Sequence, residues 1–257
     1  MTTTQAEKRL NIRLGEVPVV SIGEMLETAK HSIKRLNIRL GEVPVVSIGE
    51  MLETAKHSIK KADVDAMKEK IYERLLDHIE AEGYPTEANA GFNESNISDL
   101  VYSILAPTVA DFRRKTGRKV RLSREKKIVS KDNTTGGEEE FVVMDIINVT
   151  EERFVFILEG KRSSTREGIK QCLLAMRDAW DNNDMNDSFL YGFVTTGEHW
   201  RMYRYDGTSF VVTEKFGVLF ETMDKNEKRW TDNYSVVVDC FYSVLSDGGI
   251  ARKGCSI

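Results

Sequence analysis

"FVVMDIINVTEERFVFILEGKR", residues 141–162, is the stretch on which the fold turns. Two apolar runs flank the short connection "TEE" at 150–152, which is too brief for anything but an antiparallel hairpin. Side chains alternate along a strand, so Phe141, Val143, Asp145 and Ile147 share one face, as do Val155, Ile157, Glu159 and Lys161. A turn centred near Glu151 sets Asp145 close to residue 157, to within one register step. Asp145 then comes within side-chain reach of Glu159, because diagonal cross-strand neighbours are about 7–8 Å apart. The second run is core in character, yet it ends by delivering an acid and a base, Glu159 and Lys161, to its rim.

Outward from the hairpin the pattern is mixed. "SNISDLVYSILAPTVADFRRKTG" has helical periodicity, with Ser95 or Asn96 as its cap and a kink expected near Pro107. "RKVRLSREKKIVS" reads as a strand and "DNTTGGEEE" as a turn. A helix, "TREGIKQCLLAMRDAWDNND", follows the hairpin, and "FLYGFVTT" is a buried strand. "HWRMYRY", the turn at Asp206-Gly207 and "TSFVVTEKF" form a second hairpin, and a helix over about 232–245 ends the pattern. The expected architecture is α/β: helix, three-strand meander, helix and strand, with an added hairpin and C-terminal helix.

The first quarter is organised differently. "RLNIRLGEVPVVSIGEMLETAKHSIK" occupies 9–34 and recurs unchanged at 35–60. Cores tolerate many apolar swaps, so packing alone does not preserve such identity. A recent tandem duplication, or an artefact of sequence assembly, accounts for it better. Two copies do not make a solenoid. Each copy carries a strand-like "EVPVV" and then a capping box, Ser21 with Glu24 and Ser47 with Glu50, ahead of a short amphipathic helix. Residues 1–61 therefore read as a helical arm, a docking or oligomerisation element or a redundant spacer. A helix and linker span 62–92: Met67, Ile71, Leu75 and Ile79 form a stripe that Gly83 ends. The main domain spans 93–250, with a tail at 251–257.

Composition bounds the function. At 40% hydrophobic and 30% charged, with no apolar run near the ~20 residues that cross a bilayer, the chain is expected to be globular and away from membranes. The N-terminal residues lack the apolar stretch of a secretory signal, and Cys172, Cys240 and Cys255 are few and scattered. Both point to an intracellular protein, cytoplasmic or nuclear, with delivery to a host left open. Net charge is −4, but residues 113–127 carry nine Lys or Arg against one Glu. Arg113, Arg114, Lys115, Arg118, Lys119, Arg121 and Arg124 make a candidate phosphate-facing patch, or else a solvated helix end and a charged edge strand.

Two carboxylates and a lysine leaving an apolar sheet are costly unless compensated. A divalent cation with hard oxygen ligands does so, and magnesium suits one or two carboxylates with several waters. Acid-x-Lys alone is a common surface tripeptide. The apolar strand, the partner strand with Asp145 and the helix immediately after give it weight. No histidine stands near this point of the sequence, against histidine or zinc chemistry.

That context resembles the PD-(D/E)xK restriction-endonuclease-like superfamily. On that resemblance Asp145 is the first acid, Glu159 the second, Lys161 the lysine, and Gln171 in "GIKQCLLAM" a supporting glutamine. Segments including "FVVMDIINVTEERFVFILEGKRSS" and "YGFVTTGEHWRMYRYDGTSF" are similar to proteins of arbuscular mycorrhizal fungi and to the nuclease-like domains of Crinkler-type effectors. The resemblance covers about 93–247 and omits the arm. Met144 stands where the motif's name has proline, and Gly160 replaces a larger middle residue. The resemblance implies magnesium, with manganese as a substitute, held by Asp145, Glu159 and the Gly160 carbonyl. It implies a further acid on the first helix, Glu94 or Asp99. It also implies hydrolysis of nucleic acid, DNA before RNA, and a homodimer where both strands are cut. The alternative is an idle nuclease-like module that binds nucleic acid or a protein partner, the arm recruiting the latter. Trp200, Tyr203 and Tyr205 read as sheet packing before base stacking.

Overall fold

The computed structural model describes residues 43–53, 59–85, 92–130, 136–148, 151–162, 165–182 and 188–248. The first repeat copy, His31, His57, Ser163, Ser164 and Cys255 lie outside them. Among the described residues the order is β1 (Val45–Val46), α1 (Ile48–Glu53), α2 (Lys61–Glu82), α3 (Glu94–Thr116), β2 (Val120–Val129), β3 (Gly136–Ile146), β4 (Glu152–Gly160) and α4 (Thr165–Asn182). There follow β5 (Leu190–Thr195), β6 (His199–Tyr205), β7 (Phe210–Thr213), β8 (Phe216–Gly217), a 3-10 turn, α5 (Glu227–Asn233) and α6 (Val236–Asp247). The protein is mixed α/β. No described helix is long and apolar enough to cross a membrane.

The strands form one sheet in the order β1-β7-β6-β5-β4-β3-β2, with β8 paired to β6. The meander β2–β3–β4 is antiparallel, β4 runs parallel to β5, and β1 runs parallel to β7. Helices cover both faces. Gly192 and Phe193 are neighbours on β5 and so point to opposite sides. Phe193 meets Phe241 of α6 at 4.9 Å between centroids. A Cβ on Gly192 would stand 2.4 Å from Met176 Sδ and 2.6 Å from Cys172 Sγ of α4, so glycine is needed for that helix to lie down. The core between the sheet and α2, α3 and α6 is aromatic-rich, with Phe141, Phe156, Phe193, Trp200, Trp230 and Phe241 buried. Tyr203 and Tyr205 are buried too, Tyr205 stacked on Phe210 at 4.2 Å.

Local chemistry explains the helix ends. Asn93 caps α3, accepting from Ser95 N at 3.1 Å, while Asn96 reaches back to Asn93 N at 2.9 Å. The cap thus lies two or three residues before the Ser95 or Asn96 expected. The helix continues through Pro107. Proline has no N–H for the carbonyl four residues back. That carbonyl, Ser103 O, instead accepts from Arg74 Nε of α2 at 3.2 Å, so a neighbouring helix supplies the missing donor.

Three expectations need correcting. The last helix is two helices, α5 and α6, separated at Tyr234–Ser235. "GGEEE" is strand, and β3 begins at Gly136. Its register places Glu138 opposite Lys127 and Glu139 opposite Lys126, so the ladder to β2 holds this polar run extended. The β3–β4 register also differs from the one the turn implied. Asp145 lies opposite Arg153, and a shift between Val143 and Met144 sets Phe141 opposite Leu158.

Candidate functional site: an acidic cluster at the tip of β4

The register decides which acid meets Glu159. Asp145 does not. It is six residues along β4 from Glu159's level, about 20 Å at ~3.3 Å per residue. Its carboxylate is instead held by Arg118, with Nε at 2.9 Å and Nη2 at 2.7 Å from Oδ2. Arg118 also donates to Leu245 O, and at 3.1 Å to Gly248 O. Asp145 and Arg118 therefore clamp the C-terminal end of α6, where exposed carbonyls favour a cation. Both were expected in the functional site; both are cross-links of the fold.

The residues that do gather at Glu159 are Glu139, Glu140, Glu94 and Lys161. Glu140 N donates to Glu159 Oε1 at 3.4 Å. The Glu140 carboxylate accepts from Gly160 N and from Ser98 Oγ of α3. Lys161 Nζ stands 3.7 Å from Glu159 Oε2 and 3.8 Å from Glu94 Oε1. Its backbone N–H is tied to Thr195 O at 2.8 Å, which fixes the strand tip against β5. Gly160 has a steric reason to be glycine: a Cβ there would lie 2.6 Å from Glu140 Oε2. Likewise the Lys161 stem lies across Gly168, at the start of α4, where a Cβ would be 2.8 Å from Lys161 Cγ.

The cluster is electrostatically loaded. Glu139 and Glu159 are each only 2% exposed. Burial, then the hydrogen bond and charge of Glu159, push the Glu139 carboxyl up to about 10, against a smaller downward pull from Lys161. Burial thus favours the neutral form of the Glu139 carboxyl. Its Oε2 is buried with no hydrogen-bond partner among the described residues. Burial also lifts Glu140, to about 7; the Gly160 N–H opposes this, and Glu159 adds to it. The Cys172 thiol beneath is pushed well up by burial and then by Glu159 and Glu139, so it is no nucleophile.

Of the other expected residues, Glu94 joins the cluster through Lys161, whereas Asp99 is exposed on α3 and pairs with Arg124 at 3.3 Å. Gln171 is exposed on α4. The basic segment is partly spent within the molecule. Lys115 bonds Asp111 at 2.8 Å and Asp63 at 3.2 Å, Arg114 lies 3.6 Å from Asp111, and Lys126 pairs with Glu152 at 2.7 Å. Arg113, Lys119, Arg121 and Lys127 are exposed.

The chain matches no known protein-family model and no curated protein.

The donor chemistry fits a hard divalent ion. Glu139, Glu140 and Glu159 bring hard oxygen donors to one strand tip, Glu139 Oε2 being buried without a hydrogen-bond partner among the described residues, and a cation nearby would offset the charge that adds to the effect of burial on Glu139 and Glu140. The oxygens are not gathered into a ready cage: among the described residues no three His, Cys, Asp or Glu side chains are placed to hold an ion. Glu139 and Glu140 escaped the sequence reading because paired glycines and three like charges read as a turn. The turn alone does not find them: the pairing of Ile146 with Glu152 would set residue 139 opposite Glu159, and the shift between Val143 and Met144 moves that place to residue 140.

Proposed function

We propose that the protein is a magnesium-dependent nuclease of the PD-(D/E)xK type, acting on DNA, with Glu140 in the place first given to Asp145. The observation that carries this is the meeting of Glu140, Glu159 and Lys161 at one strand tip, with Glu94 from the preceding helix. The order helix α3, meander β2–β3–β4, helix α4 and a strand parallel to β4 is the core that the resemblance implies, and supports the same reading.

Glu140 and Glu159 would hold the ion, with Glu94 within reach through Lys161. A bound magnesium supplies polarisation of the phosphate and a more acidic water. Lys161 Nζ orients the attacking water and offsets charge growing on the phosphate oxygens. Water adds to phosphorus, the ester P–O bond breaks, and its electron pair leaves with the alcohol oxygen, which takes up a proton. Ser98 and Gly160 N hold the Glu140 carboxylate in place. Burial favours the neutral form of Glu139, which eases the placing of two further carboxylates beside it. Arg113, Lys119, Arg121 and Lys127, exposed along α3 and the edge strand β2, hold the backbone without reading bases.

A second reading is an idle nuclease-like module that docks a partner. The absence of a ready cage among the described residues favours it. Plasmid nicking separates the two. The wild type nicks with magnesium and not with EDTA, and Lys161→Ala, still folded at the assay temperature, loses at least a hundredfold in rate. Equal nicking by wild type and Lys161→Ala rules the nuclease reading out.

A further inference from the structure

The ladder between β2 and β3 breaks its alternation at one level, and that level lies beside the acidic cluster. Arg124 pairs with Phe141 and Lys126 with Glu139, which sets Glu125 level with Glu140. Regular alternation would put Arg124 and Lys126 on one face of β2. They lie on opposite faces. Arg124 stands 5.4 Å over the ring of Tyr102 of α3 and 5.3 Å over Phe141, which belongs to the core on the α3 side. Lys126 Nζ stands 2.9 Å from the Sδ of Met144, which adjoins the core residue Val143 and so points the other way.

β3 turns over at the same level. Glu140 adjoins Phe141 and should oppose it, yet its carboxylate accepts from Ser98 Oγ of α3. Glu139 should share the face of Phe141, yet its charge bears on Cys172 of α4. Both strands therefore reverse their faces across one step. The cause is on β2. Glu125 has a φ of 53°, and among the described residues no other non-glycine has a positive φ. An L-residue is held there at a cost, and in an edge strand such a kink re-aims the side chains around it. On the nuclease reading above, we propose that Glu125 is a positioning residue, whose left-handed backbone turns Glu140 to the α3 face, where Ser98 and Gly160 N hold it beside Glu159. The Glu125 side chain is exposed, and its carboxylate takes no part. In a regular strand Glu139 would face α3 and Glu140 would face α4, and the site would lose the acid seated on Gly160 N.

Variants at 125 separate backbone from side chain. Glycine and asparagine accept a positive φ, so Glu125→Gly and Glu125→Asn should keep magnesium-dependent nicking within about threefold of wild type, with Glu125→Gly melting no lower. A β-branched residue resists that backbone. Glu125→Val should lose about a hundredfold in nicking rate and need at least about tenfold more manganese for half-saturation in a titration followed by electron paramagnetic resonance. Glu125→Thr takes its place if the valine chain fails to fold. A residue that only stabilised the fold would lower Tm in these β-branched variants and leave the manganese affinity of the folded protein unchanged. Wild-type manganese affinity in the β-branched variants, or an equal loss in all four, overturns the proposal. If the wild type neither binds manganese nor nicks, the nuclease reading falls, and a crystal structure of the β-branched variant decides the positioning role alone. Glu140 released from Ser98 and Gly160 N there upholds it, and Glu140 still bonded to both overturns it.

Discussion

Asp145→Asn should leave DNA nicking within about tenfold of wild type, while Glu140→Gln lowers it by at least a hundredfold. The two positions trade places relative to the motif as first read, so the pair of variants discriminates sharply. Asp145 faces Arg118, which in turn holds Leu245 O and Gly248 O at the end of α6. Replacing its charge leaves a half-buried guanidinium without its anion. The cost should fall on stability, about 2–3 kcal/mol after allowing for partial exposure, or ~5–10 °C in Tm. Glu140 has the opposite profile. Its carboxylate lies between Ser98 and Gly160 N, beside Glu159. The amide of Gln is nearly isosteric, so the fold should hold while the site loses a charged ligand. Inactive but well-folded Asp145→Asn, with active Glu140→Gln, would refute the assignment.

Stability should fall as pH rises through the neutral range. The Glu139 carboxyl is raised by burial and by Glu159 to about 10, and the Glu140 carboxyl by burial to about 7, each from an ordinary value of 4.5. Between those limits the folded state binds more protons than the unfolded state, so unfolding free energy declines with pH. The contribution is fully present below pH ~4.5. It is lost first as pH passes about 7, through Glu140, and further toward about 10, through Glu139. Asp111 and Asp206 have lowered values. Their contribution is present above the ordinary value of 3.8 and is lost only in stronger acid, outside this window. With EDTA present, Tm should drop by about 5 °C or more between pH 5.5 and 8.5. Glu139→Gln, which fixes that side chain neutral, should flatten the upper part of the profile and raise Tm at pH 8.5. A flat wild-type profile would show that these carboxyls ionise without cost, and that the cluster is wetter than its burial implies.

Much of this architecture is legible in the sequence because it rests on periodicity. The stripe Met67, Ile71, Leu75, Ile79 and the stop at Gly83 give α2. The apolar run before Glu159 gives β4, and Asp206-Gly207 gives the β6–β7 turn. What could not be read is set by tertiary pairing. Glu138 and Glu139 are strand because they pair with β2, which nothing in the local pattern "DNTTGGEEE" announces. The register error followed from the same blindness. With turn and bulge both unknown, the expected register set Asp145 opposite residue 157 where the structure sets it opposite Arg153, and that four-residue error joined Asp145 instead of Glu140 to Glu159. The (D/E)xK half of the site needed no register, since Glu159 and Lys161 lie on one strand face. Arg118 read as a phosphate ligand because local charge does not reveal that Asp145 and the end of α6 already claim it.

The most direct test is an anomalous difference map from crystals soaked in manganese. The predicted result is a peak at the tip of β4, within coordination distance of carboxylate oxygens of both Glu140 and Glu159, that vanishes in Glu159→Gln. A peak at Asp145, or none at saturating manganese, would contradict the account.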